Sequence, residues 1–219
     1  EAGVTCEVSA ESEPEPSIEA AGRVAERARS FAPDAVLGLG GGSNIDVAKY
    51  AAILCTHGGE LSDYFGIGQL PGPIMPVIGV PTTAGTGSEV SHCAVLTDTA
   101  NQMKVSSLSD LMRPQLAVVD PELAVTCPRQ VTADAGIDAL THAVEAYTAT
   151  DFTRLDPDPG KLMPYDGRTP MGDLLAEKAI QLVGRYLECV VREPDNLDAR
   201  EGMALAALLG GLAFSNCGV

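Results

Sequence analysis

Tryptophan is absent from these 219 residues, and aromatic side chains together make up only 4% of them. Any core must therefore be built from Ala, Val, Leu and Ile, gaining its cohesion from many small contacts. Positive charge is also scarce, with 14 Lys and Arg against 30 Asp and Glu and a formal net charge of -16. Such a chain repels phosphate backbones and anionic lipid surfaces, which argues against nucleic acid or a membrane as main partner. No apolar run reaches the roughly 18 residues of a membrane span, and the acidic residues 1–20 lack signal-peptide character. The six cysteines (Cys6, Cys55, Cys93, Cys127, Cys189, Cys217) include no C-x-x-C pair. The chain is also longer than typical disulfide scaffolds, so reduced thiols in a cytoplasm are expected. No internal repeat is present. The length allows one large or two modest domains, each with a core.

Hydrophobic periodicity organises the rest. "GVTCEV" suits a short strand, and "ESEPEPS" reads as an acidic loop broken by proline. From Ser17, a plausible N-cap residue, Ile18, Ala21, Val24, Ala25 and Ala28 recur at helical spacing. "DAVLGLG" then reads as a buried strand, "SNIDVAKYAAILCTHGG" as a helix ending at Gly58, and "IMPVIGVPTT" as another buried strand. Strands apolar on both faces, alternating with helices, predict a parallel α/β sheet of Rossmann-like type. "HCAVLTD" and "QMKVSSLS" flank "TAN" as a hairpin, and "QLAVVDPEL" is a last strand ending in a proline turn. From about Thr132 the pattern is helical and rich in Ala, interrupted by a predicted surface loop over 151–171. The sequence thus divides into an α/β domain, residues 1–125, and an all-helical domain, residues 126–219, with the boundary near Leu123–Pro128.

Two glycine loops follow predicted strands. In "VLGLGGGSNIDVAK" the residues Gly40, Gly41, Gly42 and Ser43 lie between a strand and a helix, where backbone N–H groups and the helix dipole converge on a phosphate. The match to G-x-G-x-x-G is incomplete, because Ser43 stands where the third glycine would be. A crowded strand-to-helix turn is the alternative. The second loop, "GVPTTAGTGSEVS", offers the hydroxyls of Thr82, Thr83, Thr86 and Ser88 among Gly85 and Gly87. Two such loops on neighbouring parallel strands can clasp a pyrophosphate at the carboxyl ends of the sheet. A Ser/Thr-rich turn leading into a helix is again the alternative.

"GIDALTHAVEAY" places Asp138 and His142 four residues apart, on one helix face. A carboxylate and an imidazole at that spacing supply half of a divalent-metal site, or simply a surface pair without a ligand. The two remaining histidines, His57 and His92, lie in other segments.

In this order, "GGGSNIDVAK", "PTTAGTGSEV" and "GIDALTHAVEAY" resemble the iron-containing (group III) alcohol dehydrogenases, and the resemblance extends over essentially the whole chain. It implies a dehydroquinate synthase-like architecture that uses NAD or NADP and a divalent metal, iron or zinc. By that resemblance Gly40, Gly41, Gly42 and Ser43 hold the pyrophosphate, while Thr82, Thr83, Thr86 and Ser91 surround the nicotinamide half. Lys104 matches a lysine that hydrogen-bonds ribose, Leu123 matches a residue lining the cofactor, and Asp138 and His142 match the first two metal ligands. The family continues past "FSNCGV" into a segment with further histidine ligands, and begins with a β-α-β segment before "GVTCEV". The resemblance therefore implies an internal fragment, so that mitochondrial as well as cytoplasmic location stays open.

The implied reaction moves a hydride between a small alcohol or hydroxy acid and the nicotinamide, with the metal as Lewis acid. A homo-oligomer is implied as well. No general base is assigned within these residues. The stretch from 151 through "YDGRTPMGDLLAEKAI" resembles the hydroxyacid–oxoacid transhydrogenase branch, which acts on 4-hydroxybutyrate and 2-oxoglutarate. Two further alternatives are a dehydroquinate-synthase-like lyase, which "PTTAGTGSEV" fits less well, and a dinucleotide-binding fragment without catalysis.

Overall fold

A computed structural model describes residues 3–156 and 165–218. The first helix, α1 (Ile18–Phe31), starts where Ser17 Oγ accepts the Ala20 N–H at 3.1 Å. Its alanines Ala20, Ala21 and Ala25 are fully buried, letting it pack closely on α2 (Gly42–His57). The second helix is buried without a break from Val47 to Leu54, so it lies inside the fold, covered on every side over those two turns. Between them runs β1 (Val36–Gly40).

After the short β2 (Gly66–Ile67) come β3 (Val77–Pro81), the hairpin strands β4 (Cys93–Asp98) and β5 (Met103–Leu108), and the two-residue β6 (Leu116–Ala117). A parallel sheet has the order β1-β3-β6, with Gly38 opposite Gly79 and Gly40 opposite Pro81. A second sheet has the order β2-β5-β4, antiparallel only across the hairpin. Three helices follow: α3 (Arg129–Thr148), α4 (Pro170–Arg192) and α5 (Leu197–Cys217), packed on one another. One core gathers Tyr50, Ile53, Val77, Leu96 and Met112, and the helices bury two more around Met203 and Phe214. Arg113 ties the first part to the last, donating to Val90 O and Ser215 O, each at 3.1 Å. Among the described residues no helix is long and apolar enough to cross a membrane.

Four expectations need correction. "GVTCEV" forms no strand: Val4 and Val8 are exposed, and the segment is held instead by ion pairs from Arg27 to Glu7 and Glu11. Its apolar residues suit a strand, but no described strand lies alongside to pair with it. The first sheet strand is not buried on both faces. Gly38 faces α2, where a Cβ would stand 2.9 Å from Ile45 Cα, whereas Leu37 and Leu39 take the other face and are 55% and 53% exposed. "QLAVVDPEL" keeps only Leu116–Ala117 as strand, because Asp120 caps a 3-10 turn at Pro121–Ala124. Finally, α3 begins at Arg129, three residues before Thr132. Of the predicted 151–171 loop, residues 157–164 lie outside the described residues, and Asp151 and Arg168 are bridged across its two ends.

These burial differences predict opposite responses to truncation. Leu96, fully buried in β4, should cost about 2–5 kcal/mol as Leu96→Ala. Leu39→Ala, on the open sheet face, should cost about 0.5 kcal/mol or less. Urea unfolding of both variants measures the contrast, and equal losses would mean that the Leu39 face is covered.

Candidate dinucleotide and metal site

The first glycine loop forms because the chain must leave β1 and enter α2 within two residues. Gly40 makes the bend at φ +145°, and a Cβ there would stand 2.6 Å from Asn44 Cγ. Asn44 holds the turn from inside, its Nδ2 donating to Leu39 O at 2.9 Å. Gly41 is the residue before α2, and the first helical turn carries no acidic side chain. The backbone N–H groups opening α2 therefore meet a local field unopposed by a first-turn carboxylate.

The second loop leaves β3, the direct neighbour of β1, and is tied to the first when Thr82 N donates to Gly40 O at 2.8 Å. Thr83 and Thr86 then stand against the first loop. A Cβ at Gly41 would lie 3.4 Å from Thr83 Oγ1, and one at Gly42 would lie 2.5 Å from Thr86 Oγ1. On its far side the second loop meets the helices at bare backbone. A Cβ at Gly85 would be 2.9 Å from Ala135 Cα in α3, and one at Gly87 (φ +62°) would be 2.5 Å from Gly211 Cα in α5. A small pocket beside it is lined by Thr83, Glu89, Asp120 and Ala204.

Gly40, Gly41, Thr82, Thr83 and Thr86 thus lie together where the two loops touch, with Gly42 buried beneath Thr86 and Ser43 following it in the first turn of α2. Ser91 is next to the second loop in sequence but turned inward, buried, with its Oγ donating to Cys93 O at 3.2 Å. Lys104 lies on β5, exposed, with Nζ 3.3 Å from Glu15. Leu123 is partly exposed in the 3-10 turn after β6. Asp138 and His142 do come together on α3, with His142 Nε2 3.8 Å from Asp138 Oδ1. The His142 ring packs against Phe214 with 4.5 Å between centroids, and its Nδ1 is buried with no hydrogen-bond partner among the described residues. One carboxylate and one imidazole, the latter with an unsatisfied ring nitrogen, fit part of a divalent-metal site. Among the described residues no group of three or more His, Cys, Asp and Glu is gathered for a metal.

Beneath the loops lies a buried charge cluster whose partners were not visible in the sequence. Lys49 and Asp46, on α2, are joined there by Ser88, and Glu89 is buried nearby. Burial pushes the Lys49 amine down and the Asp46 carboxyl up from their ordinary ranges, and their mutual attraction opposes both shifts. Burial also raises the Glu89 carboxyl, and pushes the Cys93 thiol up to about 11. The available signal was a charged pair three residues apart inside the apolar run of α2.

Comparison with known proteins places the chain as a whole. Residues 1–121 match the family described as iron-containing alcohol dehydrogenase, and residues 166–219 match the C-terminal part of the Fe-containing alcohol dehydrogenase family. The chain is 39% identical over 186 residues to the NAD-dependent methanol dehydrogenase of Bacillus methanolicus, covering 85% of this chain and 45% of that protein. It is 38% identical over 203 residues to the mitochondrial hydroxyacid-oxoacid transhydrogenase of Rattus norvegicus, covering 89% of this chain and 44% of the other. The crystal structure of a 1,3-propanediol oxidoreductase superposes with a TM-score of 0.84 at 38% identity, covering 95% of this chain and 50% of that one. Sulfoacetaldehyde reductase from Bifidobacterium kashiwanohense, solved with NAD+, superposes at 0.80 with 34% identity, covering 94% and 51%. The chain therefore spans about half the length of the relatives it matches. With the parallel sheet and both glycine loops inside the first matched stretch and α4 and α5 inside the second, the chain belongs to the iron-containing alcohol dehydrogenase family.

Proposed function

We propose that the chain binds NAD or NADP across its two glycine loops and supplies part of the active site of a metal-dependent alcohol dehydrogenase or aldehyde reductase. The observation that carries this reading is the meeting of Gly41 and Gly42 with Thr83 and Thr86 at the ends of adjacent parallel strands. The amides that open α2 face the pyrophosphate, and the helix dipole adds to their pull. Thr82, Thr83 and Thr86 supply hydroxyls, with Lys104 and Leu123 as further cofactor residues, while Ser91, turned inward onto Lys49 and Cys93, supports the nicotinamide side from beneath. Asp138 and His142 are the ligands that this chain gives to iron or zinc, and Phe214 restricts the His142 ring. Held against the two loops, a nicotinamide would supply hydride chemistry, and a metal held in part by Asp138 and His142 would supply Lewis acidity toward a substrate oxygen.

The division into a cofactor-binding unit, residues 1–125, and a metal-binding helical unit, residues 126–219, belongs to the same proposal. The substrate is a small alcohol, aldehyde or hydroxy acid. The six cysteines are all unpaired, which supports a reducing compartment such as the cytoplasm. Likeness to the rat transhydrogenase supports a second reading, hydride exchange between 4-hydroxybutyrate and 2-oxoglutarate. Turnover of that pair without added nicotinamide cofactor would favour it over a simple dehydrogenase.

Two experiments test the assignment. Gly41 has φ -73°, so Gly41→Val fits the backbone while placing a branched side chain over the loop. NADH and NADPH affinity should fall about tenfold or more, equivalent to about 1.4 kcal/mol, and unchanged binding by a folded variant would remove the phosphate from this loop. The second concerns the metal. Zinc sites use at least three protein ligands, so the 219-residue chain should retain less than one iron or zinc ion after dialysis, and His142→Ala should abolish what remains while sparing nucleotide binding. Elemental analysis with a parallel NADH titration decides this, and a stoichiometric metal kept by the alanine variant would move the ligands elsewhere.

A further inference from the structure

We propose that Lys49 is a positioning residue for the dinucleotide site, setting through Ser88 and Thr86 where the second glycine loop stands over Gly41 and Gly42. The inference rests on the cofactor reading above but concerns a residue to which that reading gives no role.

Lys49 is fully buried on the inner side of α2, two turns beyond the first glycine loop. Four oxygens surround its Nζ: Ser88 Oγ at 3.0 Å, Ser91 O at 3.1 Å, Ser91 Oγ at 3.1 Å and Cys93 O at 2.6 Å. All four belong to residues 88–93, the stretch that carries the second loop into β4. An ammonium has three donors radiating from one point. Lys49 therefore gathers this stretch around a single atom of α2.

Asp46, one turn earlier on α2, completes the clasp. Its Oδ1 accepts from Ser88 Oγ at 2.5 Å and its Oδ2 accepts from Val95 N at 3.0 Å, while Lys49 Nζ lies 3.8 Å away. The Ser88 hydroxyl gives its one proton to Asp46 and receives one from Lys49, which fixes its orientation. The backbone N–H of Ser88 in turn donates to Thr86 Oγ1 at 3.2 Å. Thr86 is the side chain that fills the space over Gly42. A continuous path thus runs from the buried amine through Ser88 and Thr86 to the backbone proposed to face phosphate.

Cost argues for the same role. A buried ion pair often contributes less to stability than apolar residues of the same volume would. Here burial opposes the charged form of both partners. A methionine would fill the space of Lys49 with far less desolvation, but would let go of every oxygen in residues 88–93. What the lysine supplies is the placement of that segment.

The test uses the 219-residue chain with Lys49→Met, Ser88→Ala and the double variant. Each is measured by NADH and NADPH titration and by amide hydrogen exchange. Lys49→Met should weaken binding about tenfold and speed exchange both at residues 86–93 and at 41–44, since partners on one path lose more than their own contact. Ser88→Ala should weaken it about threefold, and the double variant should bind no worse than Lys49→Met within about twofold, because the path is already cut. A merely structural lysine would lower the melting temperature while leaving the affinity of the folded protein unchanged, and that result would overturn the proposal. Losses that simply add in the double variant would overturn it too, as would faster exchange confined to 88–93. Should Lys49→Met fail to fold, unchanged binding by Ser88→Ala would be equally fatal. If the unsubstituted chain binds neither nucleotide, the cofactor reading fails, and exchange at 41–44 still decides whether Lys49 positions that loop.

Discussion

Where the two glycine loops meet, backbone and short side chains approach so closely that one added methyl group at Gly42 would collide with Thr86. The same holds on the far side of the second loop, where Gly85 lies on Ala135 and Gly87 on Gly211. One segment of a few residues is therefore seated on α2, α3 and α5 at once. Protein interiors are packed to crystal-like density, so a segment held on three sides has little room to shift. The relation between the parallel sheet and the helices follows from this seat. The sparse aromatic content is consistent with it, because helices faced with Ala and Gly can approach a loop that larger side chains would hold off.

Charge shapes the same region in a less obvious way. The chain carries a formal net charge of -16, which gives a dinucleotide no overall attraction. Affinity for an anion has to be generated locally, by oriented N–H groups and a helix N-terminus, within a distance over which the distant carboxylates are screened. The first turn of α2 is free of acidic residues. Asp46 comes next, but its carboxylate is turned inward onto Ser88 and Val95 rather than toward the loop opening. The buried cluster thus keeps a negative group from opposing the amides that the proposed cofactor would use.

Much of this was legible in the sequence, and the exceptions have physical causes. The Ser17 cap, the helical spacing from Ile18, the glycine stop at Gly58 and the hairpin around "TAN" all depend on neighbours close in sequence, and the structure has them where expected. "GVTCEV" misled because a short apolar stretch records a capacity for pairing and not the presence of a partner strand. Leu37 and Leu39 misled because a run of apolar residues does not say which faces of a strand will be covered. In sequence Ser88 is one more hydroxyl that the second loop offers. Its side chain instead turns to Asp46 and Lys49, residues about forty positions away. Composition shows that a loop is rich in donors, but the inward or outward turn of each donor is set by tertiary partners. Lys49 itself was read within a helix motif, and only its surroundings reveal a fully buried charge.

The second loop also gives the proposed metal ligands their place relative to the proposed cofactor surface. Gly85 touches α3 at Ala135, and Asp138 follows three residues later, just under one helical turn, with His142 four residues beyond it. A helix transmits position along its axis with little loss, whereas an irregular connection of the same length would not. The hydroxyls of Thr83 and Thr86 and the Asp138–His142 pair are thus referenced to one rigid junction, although nearly sixty residues separate them in sequence. Phe214 extends that junction to α5, which Gly87 touches at Gly211, three residues earlier on the same helix. The loop that Lys49 gathers is therefore in contact with both helices around His142, so that the amine is linked by packing to the proposed metal ligands as well as to the proposed phosphate loop.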